Sequence, residues 1–530
     1  DANAVDATGT TEPTKGIPKT KVEVAANGYS RQGYTFKNWN TKADGSGKAY
    51  KPGDTYTLTE GEDVLYAIWE QKQGTMGYAL AGGQWAENQI PSELTESDGK
   101  YIYPYKFSNG DTITVIDDIP VKENSVFIGW HQHLAGENPS KIVFSGEEVK
   151  YPYNNNSSYT LNAIWGALDV RGSTSKYDGN GHTISSEEIA LTSSEEFGEA
   201  ALELVEVIST KYSYSTDGGK TFTEPEERKP SFVNAGTYTV KVTKVVQVEG
   251  VDGTTEISGT ADVVISKRNV TLTSGTDSKE YDGTPLTAET VSVSGDGFVE
   301  DEGASYSNFA SITEVGGPIN NTFNYTLNEG TLKENYNITP AYGTLTVINS
   351  KSGLKFAEGN PVGYTGMYDG EDHNALTSLA VNGVNGESFT YGEDEMKVEF
   401  KVGDKWTEEV PTVKNVGDNK TIDIRVTVKN YETLEGQITA TVTARNVTLT
   451  SGTDSKEYDG TPLTAETVSV SGDGFVKDEG ASYSNFASIT EVGGPINNTF
   501  NYTLNEGTLK ENYNITPAYG TLTVINSKSG

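Results

Sequence analysis

The sequence predicts an all-β protein built from several small domains in tandem. Its 530 residues correspond to about three to five domains at roughly 100–200 residues each. Related strings recur along the chain at intervals typical of a small β-sandwich. Polar and apolar residues alternate between glycine-rich turns, and helix-forming patterns are scarce. Together these observations favour several small sheet-built cores over a single large one.

The N-terminal third contains two related aromatic segments. "GYTFKNWNTKADGSGKAYKPGDTYTLTEGEDVLYAIWE" occupies residues 33–70, and a looser echo, "NSVFIGWHQHLAGENPSKIVFSGEEVKYPYNNNSSYTLNAIW", occupies 124–165. Each has a strand that ends in Trp, then a polar excursion, and a closing strand that ends in "AIW". We expect the shared aromatic residues to be core: Phe36, Trp39, Trp69, Phe127, Trp130 and Trp165.

The rest of the chain is marked by a recurring Tyr-Asp-Gly string. Its tyrosines are Tyr177, Tyr281, Tyr368 and Tyr458, spaced 104, 87 and 90 residues apart. Segments such as "GTYTVKVTKV" alternate with period two, which is typical of strands with one buried face. The Asp-Gly pair supplies a turn that needs positive φ, and the tyrosine packs on or caps the sandwich. We therefore predict four tandem all-β domains from about residue 167.

Two of these domains are almost the same sequence. Residues 268–353 and 445–530 agree at every position but one, where Glu300 is replaced by Lys477. The carboxylates of Asp301 and Glu302 stand beside this difference, which fits an exposed loop. An enzyme gains little from such a copy, whereas a stalk gains reach and a binding protein gains avidity.

The repeated strings resemble two kinds of bacterial surface module. "GYTFKNWNTKADGSGKAYKPGD" with "LYAIW" resembles the Listeria–Bacteroides (internalin B-type) repeat, which implies a small β-grasp-like fold. "KEYDGTPLT", "VNAGTYTVKV" and the Asn-Tyr pairs at 335–336, 430–431 and 512–513 resemble YDG and MBG-type domains of bacterial adhesins, which implies Ig-like β-sandwiches. The resemblance implies an extracellular protein attached to a bacterial cell wall through a region outside this sequence. It also implies two β-grasp-like modules and then four tandem Ig-like modules in an elongated array: 1–71, 72–166, 167–267, 268–352, 353–444 and 445–530.

Composition excludes several classes of partner. The formal net charge is −35, and a polyanion repels phosphate backbones and anionic lipid, so we expect no nucleic-acid partner. Apolar runs stay well short of the ~18 residues that suggest a membrane span, so we expect no direct membrane insertion. The chain has no cysteine. Since neither a signal peptide nor an anchor is visible, we expect the sequence to be a piece of a longer chain.

Motifs for catalysis or cofactors are weak. "STDGGKTF" at 215–222 fits a sialidase-type Asp-box, but a glycine-rich hairpin turn with an aromatic plug explains a single copy better. His131 and His133 could ligate a metal, yet no further ligand stands at a characteristic spacing. We predict no catalytic residue, metal or cofactor. A triad assembled from distant residues, calcium in an Asp-Gly loop and an isopeptide crosslink stay open.

The candidate ligand surface is the string "KYIYPYKF". If this segment is extended, four alternating aromatic residues lie on one face, and Pro104 suggests an edge strand. Tyrosine offers a large amphipathic contact at low entropic cost. The alternative is that this face packs on the core of its own module. The predicted ligand-binding residues are Tyr101, Tyr103, Tyr105, Phe107, His131, His133, Tyr151 and Tyr153.

The leading hypothesis is a fragment of a bacterial surface adhesin, monomeric and elongated. Its repeated modules bind a host surface or secreted protein, with immunoglobulins among the candidates, or a glycan. The alternatives are a structural stalk for a distal domain and an accessory region of a secreted glycan-degrading enzyme. "VISKRNVTL" and "VTARNVTL" run strand into strand with no flexible linker, so we expect stiff connections between modules.

Overall fold

The computed structural model describes residues 1–133, 140–152, 158–193 and 197–528, and in them the protein is all-β. The predicted fold class of tandem β modules is confirmed; its β-grasp-like and elongated details stay predictions. Within the described residues the helices are short: α1 at Gly198–Leu202 and 3-10 turns at Ala86–Asn88, Lys333–Asn335, Val384–Gly386, Val416–Asp418 and Lys510–Asn512.

The chain divides into two compact units. Unit 1 contains Asp1–Asn269, Phe298–Asp301 and Leu332–Asn337, and unit 2 contains Val270–Gly297, Glu302–Thr331 and Ile338–Gly530.

The first predicted module, in unit 1, is organised around Trp39. This side chain is 3% exposed, and its indole N–H donates to the carbonyl of Ala25 at 2.9 Å. The central strand β4 pairs antiparallel with β5 and β7. Trp69, expected in the core, is half-buried against it. The strands are β1 Ala7–Gly9, β2 Lys21–Glu23, β3 Tyr29–Arg31, β4 Tyr34–Asn40, β5 Ala49–Tyr50, β6 Thr55–Thr57 and β7 Tyr66–Gln71.

The second predicted module, also in unit 1, has a larger aromatic core. Trp130 and Trp165 are fully buried and Phe127 is 4% exposed, which confirms their core assignment. The strands are β8 Gln73–Gly74, β9 Met76–Ala79, β10 Gln84–Trp85, β11 Thr95–Ser97, β12 Lys100–Ile102, β13 Phe107–Ser108, β14 Thr112–Thr114, β15 Pro120–Val121, β16 Ser125–Gln132, β17 Lys141–Val143, β18 Glu148–Lys150 and β19 Tyr159–Arg171. The main sheet has the order β11-β12-β9-β19-β16-β17.

Strand β19 continues across residues 166 and 167, where the sequence predicted a module boundary. Its second half pairs antiparallel with β21 (Ser186–Leu191), from Gly166 opposite Leu191 to Arg171 opposite Ser186. The second and third predicted modules therefore share a strand.

The third predicted module confirms the alternation read from the sequence. On β23, Val240 and Val242 are fully buried. Thr237, on the opposite face near the start of the strand, is exposed. Strand β20 runs parallel to β24, β24 pairs antiparallel with β23, and β23 pairs antiparallel with β22. The strands are β20 Ser173–Lys176, β21 Ser186–Leu191, β22 Val205–Ser215, β23 Gly236–Val248 and β24 Thr254–Ser266.

The two near-identical modules have corresponding strands. The first copy contains β25 Arg268–Ser274, β26 Asp277–Glu280, β27 Val291–Gly295, β28 Ala304–Ser307, β29 Gly316–Asn320, β30 Asn324–Leu327, β31 Tyr336–Ala341 and β32 Thr344–Ile348. The second, in unit 2, contains β45 Arg445–Ser451, β46 Asp454–Glu457, β47 Val468–Gly472, β48 Ala481–Ser484, β49 Gly493–Asn497, β50 Asn501–Leu504, β51 Tyr513–Ala518 and β52 Thr521–Ile525. Glu300 and Lys477 are both exposed, as predicted.

The module between the copies has a five-stranded sheet with the order β35-β44-β43-β40-β41. Its strands are β33 Lys355–Phe356, β34 Val362–Gly363, β35 Thr365–Met367, β36 His373–Asn374, β37 Leu376–Ser378, β38 Ala380–Asn382, β39 Ser388–Thr390, β40 Met396–Val402, β41 Lys405–Thr407, β42 Thr412–Val413, β43 Lys420–Val428 and β44 Leu434–Thr443.

The four later modules share a strand pairing that fixes where the Tyr-Asp-Gly string lies in each module. In each, the short strand before the string runs parallel to the closing strand: β20 with β24, β26 with β32, β35 with β44 and β46 with β52. The string therefore lies at the end where the closing strand leaves the module. The predicted turn is confirmed at Gly283, whose φ is +73°.

The modules of unit 2 do not have fully separate cores. Buried residues of all three belong to one apolar cluster, including Leu345 of the first copy, Phe400 of the middle module and Leu449 of the second copy. The sequence predicted separate cores, and the difference arises at the contacts between modules described below.

Candidate binding surfaces and module joints

The predicted aromatic stripe is not one extended strand. Strand β12 ends at Ile102, and the chain bends at Pro104. Proline has no backbone N–H to donate to a neighbouring strand, so it is compatible with the end of the pairing. Tyr103 is 8% exposed and turns into the core, whereas Tyr105 is 56% exposed. The rings still cluster, with centroids 5.0 Å apart between Tyr105 and Phe107 and 5.6 Å apart between Tyr103 and Tyr105. Tyr105 is thus the exposed part of this stripe, while Tyr101 and Phe107 are half-buried.

Two of the predicted ligand residues are core residues. Tyr151 is fully buried and stacks on Phe107 at 6.1 Å, and the Tyr103 hydroxyl lies 3.4 Å from that of Tyr78. Burial raises the pKa of both Tyr103 and Tyr151. Neither offers a surface to a ligand, because packing on the module's own core, the alternative weighed from the sequence, uses both side chains. Tyr153 lies outside the described residues.

The predicted histidines lie away from the tyrosines. His131 is on β16 and His133 directly follows this strand, which is separated from the β12 strand of Tyr101 by β9 and β19. The register Tyr101–Tyr78–Leu161–Gln132 places Tyr101 in line with Gln132, so His131 points to the opposite face of the sheet. The structure therefore does not gather the seven predicted residues that it describes into one site.

The two histidine rings are near each other, with centroids 6.0 Å apart. His131 is half-buried and packs edge-on against Phe197 at 4.8 Å. Across the described ranges, no group of three or more His, Asp and Glu side chains is placed to hold a metal.

The Asp-box-like string forms a tight hairpin turn. Asp217 accepts hydrogen bonds from the hydroxyl of Ser215 at 2.6 Å and from the N–H groups of Lys220 and Thr221 at 2.9 and 3.0 Å. The hydroxyl of Thr221 also donates to it at 2.7 Å. These donors lower the pKa of Asp217. The carboxylate therefore organises the turn, which confirms the predicted turn, whereas Phe222, the expected aromatic plug, is 36% exposed.

A cleft of about 590 Å³ opens in the first module beside Trp39. Its lining combines the aromatic rings of Tyr29 and Tyr56 with the carboxylates of Glu12 and Glu62. It contains none of the predicted ligand residues.

A surface that the sequence analysis missed is an aromatic cluster present in both near-identical modules. In the first copy, Phe323 is 7% exposed and is surrounded by Tyr306, Phe309 and Tyr342, with centroids 5.9, 5.8 and 5.9 Å away. Tyr342 is 43% exposed, so one ring is presented to solvent above a packed aromatic floor. We call this set the aromatic cluster.

The second copy repeats the aromatic cluster. Phe500 is 6% exposed, and Tyr483, Phe486 and Tyr519 surround it at 5.9, 5.8 and 5.9 Å. Tyr519 is 42% exposed. The signal available in the sequence was the repeated set of aromatic residues in "YSNFA", "NTFNY" and "AYG".

Tyrosines of the Tyr-Asp-Gly strings also join one module to the next. In unit 2, the rings of Tyr281 and Tyr431 meet edge to face with centroids 5.5 Å apart, and both hydroxyls donate to the carboxylate of Glu387. Asn430, which precedes Tyr431, accepts from the N–H of Val315 at 3.1 Å. We call this arrangement a joint.

The joint between the middle module and the second copy has the same parts. Tyr368 and Tyr513 meet edge to face at 5.7 Å, and both hydroxyls donate to Glu479, that of Tyr513 at 2.7 Å. Asn512 accepts from the N–H of Val416 at 2.9 Å. Arg445 donates to the carbonyl of Tyr368 at 3.2 Å.

A third example lies within unit 1. Tyr177 and Tyr336 meet edge to face at 5.6 Å, and Asn335 accepts from the N–H of Ala235 at 2.8 Å. The side-chain N–H of Asn335 donates to Asn234 at 3.1 Å. The Asn-Tyr pairs and the Tyr-Asp-Gly strings are therefore the two complementary halves of one repeated contact.

The electrostatics of the joint follow from its shared carboxylate. A hydrogen bond to Glu387, together with burial, raises the pKa of Tyr281 to about 12. Burial and the bond to Glu479 raise the pKa of Tyr368 to about 12. Both effects favour the neutral phenol, because a phenolate would lose its hydrogen bond and face a carboxylate.

Comparison with known proteins gives short sequence matches. No family model matches the chain. A 103-residue stretch, 19% of this chain, is 35% identical to a "Putative Gly-rich membrane protein" of Evansella cellulosilytica and covers 10% of it. A 115-residue stretch, 21% of this chain, is 54% identical to a "Putative membrane protein" of the same organism and covers 16% of it. The matches thus span about a tenth and a sixth of these relatives.

Solved structures that the chain matches include an array of immunoglobulin domains and a protocadherin extracellular domain. Sidekick-1 immunoglobulin domains 1–5 give a TM-score of 0.16 at 10% identity, covering 68% of this chain and 79% of that chain. The protocadherin GammaB4 extracellular domain gives 0.20 at 9% identity, covering 74% and 66%. Among the residues described, no helix combines the length and apolar composition needed to cross a bilayer.

Proposed function

We propose that this chain is part of a bacterial cell-surface adhesin that binds a host protein or a glycan through its duplicated aromatic cluster. The observation that carries the proposal is the matched exposure of Tyr342 and Tyr519, 43% and 42%, above the same packed rings. Immunoglobulins remain among the candidate host proteins.

The chemistry of the aromatic cluster suits such a ligand. A tyrosine ring held by packed neighbours has little rotamer freedom to lose and presents both an apolar face and a hydroxyl. Sugar rings and protein side chains with apolar faces are complementary to it. Two linked copies raise the effective concentration of the second site, so modest affinities combine into avidity.

The surface location rests on separate support. Both matched relatives carry names that describe membrane proteins. The strings that resemble Listeria–Bacteroides, YDG and MBG-type modules favour the same location. The net charge of −35 disfavours attraction to anionic surfaces, so ring contacts rather than bulk charge would have to supply the affinity.

A structural stalk is the second candidate function, and the joints favour it. Joints built from a shared carboxylate, paired tyrosine rings and an asparagine amide hold successive modules by direct contact. In that case the aromatic cluster would bind no ligand.

The test uses the full chain on glycan arrays and in binding assays with serum and mucin proteins. We expect Tyr342→Ala and Tyr519→Ala each to remove the avidity, and the double variant to abolish binding. Phe222→Ala is the matched control, because Phe222 is 36% exposed on a different module.

The outcomes separate the candidates. Binding by the double variant that equals the parent's would contradict a role for the aromatic cluster, and Tyr105→Ala would then test the predicted stripe. No binding by the parent to any probe would favour the stalk.

A further inference from the structure

The two near-identical modules permit a comparison of the same surface with and without a neighbour. In the first copy, Tyr281 is 5% exposed and Ser350 is also 5% exposed. In the second copy, Tyr458 is 39% exposed and Ser527 is exposed. Because the sequences around these residues are the same, the difference comes from what covers them.

The cover of the first copy is the module at 353–444. Tyr431 and Glu387 engage Tyr281, as described above, and the backbone of Ser350 donates to the carbonyl of Asn430 at 2.9 Å. The N–H of Glu432 returns a hydrogen bond to the carbonyl of Ser350 at 3.0 Å.

A further contact surrounds this pair. Val315, whose N–H donates to Asn430, packs against the cluster that continues into the middle module. Its counterpart Val492 is 46% exposed. The middle module thus contacts Tyr281, Val315 and Ser350 of the first copy. The corresponding residues of the second copy, Tyr458, Val492 and Ser527, are exposed.

We propose that the face around Tyr458, Val492 and Ser527 is an open joint that accepts a further module in series, of the type found at 353–444. The occupant must bring an acidic side chain for the Tyr458 hydroxyl, an asparagine oxygen for the N–H of Val492 and a tyrosine ring to meet Tyr458 edge-on. Residues 353–444 supply these groups as Glu387, Asn430 and Tyr431.

A second copy of this chain is a poorer occupant. The three Asn-Tyr pairs, at 335–336, 430–431 and 512–513, are engaged in the joints described above. Another copy could cover Tyr458 only by breaking one of its own joints. This inference does not depend on the proposed ligand, since it concerns the order of modules rather than what they bind.

The test extends the full chain with an additional copy of residues 354–444 after Gly530 and measures nitration of native tyrosines by tetranitromethane. Lys477, the single difference between the copies, makes the readout possible, because trypsin cuts after it. The peptide with Tyr458 therefore ends at residue 477, while the peptide with Tyr281 continues through Glu300.

We expect nitration of Tyr458 to fall in the extended chain to the level of Tyr281 in the same molecule. Glu387→Gln, Asn430→Ala and Tyr431→Phe, made together in the added copy alone, should restore the reactivity of Tyr458. The nitration of Tyr281, whose tryptic peptide occurs once in the extended chain, reports whether the existing joint stays folded.

Two results would overturn the proposal. One is a Tyr458 that remains as reactive in the extended chain as in the original chain. The other is equal protection by the altered and unaltered added copies, which would show that the three named groups do not form the contact.

Discussion

At the scale of the residue, Tyr281 and Tyr458 show that the same sequence can have different roles. Both lie in "KEYDGTPLT", yet Tyr281 is buried with its hydroxyl on Glu387, and Tyr458 is 39% exposed. A buried hydrogen bond to a carboxylate stabilises the folded chain more than a phenol that exchanges with water. Matched substitutions at the two positions therefore measure the joint itself.

Tyr281→Phe should lower the free energy of local opening at the joint by about 1.5–3 kcal/mol, the usual range for a hydrogen bond to a charged group. The control, Tyr458→Phe, should change stability by less than about 0.5 kcal/mol. The amide of Val315 donates to Asn430, and the amide of Val384 donates to the Tyr431 hydroxyl at 2.8 Å. Hydrogen exchange at these two amides measures the opening without assuming that the whole chain unfolds in one step. Equal effects of the two substitutions would contradict the joint.

The raised phenol pKa values predict that the joints weaken in alkali. An unfolded tyrosine titrates near pH 10, whereas Tyr281 and Tyr368 titrate at about 12 in the folded chain. Since the folded state holds the proton more tightly, this stabilisation is complete below about pH 10 and is lost as the pH rises towards 12. Hydrogen exchange at Val315 across this range is the measurement, and Tyr281→Phe, which cannot ionise there, should show a smaller pH dependence.

At the scale of the element, the alternating pattern predicted the buried faces of strands but not their ends. Val240 and Val242 are buried as expected, because period two is a property of every extended strand. The stripe after Tyr101 continues the same alternation, yet the strand ends at Ile102. Strand β19 shows the converse, since it continues through residues 166 and 167. The alternation of polar and apolar residues within one segment does not show whether a neighbouring strand is available to pair with that segment.

A core substitution on strand β19 should destabilise both of the predicted modules that share this strand. Trp165 is fully buried, and its indole N–H donates to the carbonyl of Leu80 at 2.7 Å. Trp165→Ala should cost about 3–5 kcal/mol and raise hydrogen exchange in β21 as well as in β16. The exposed His133 supplies the control, because His133→Ala should leave both strands unchanged. Faster exchange in β16 alone would show that the shared strand does not couple the modules.

At the scale of the whole molecule, the sequence predicts the modules better than the contacts between them. The Tyr-Asp-Gly and Asn-Tyr strings are visible, but Tyr281 and Tyr431 are far apart in the chain. The shared carboxylate also changes position, since Glu387 lies in "VNGESF" and Glu479 in "VKDEGAS". No common string therefore identifies the third member of the joint. Likewise, the aromatic cluster forms from three separate segments that only the fold brings together.

Nitration of the unaltered chain measures in one experiment whether neighbouring modules cover the Tyr-Asp-Gly tyrosines. Tyr281 and Tyr368 are 5% and 3% exposed, against 39% for Tyr458. We expect tetranitromethane to modify Tyr458 readily while Tyr281 and Tyr368 stay protected in the same molecules. Modification of Tyr281 as fast as Tyr458, despite their shared local sequence, would show that no neighbouring module covers it.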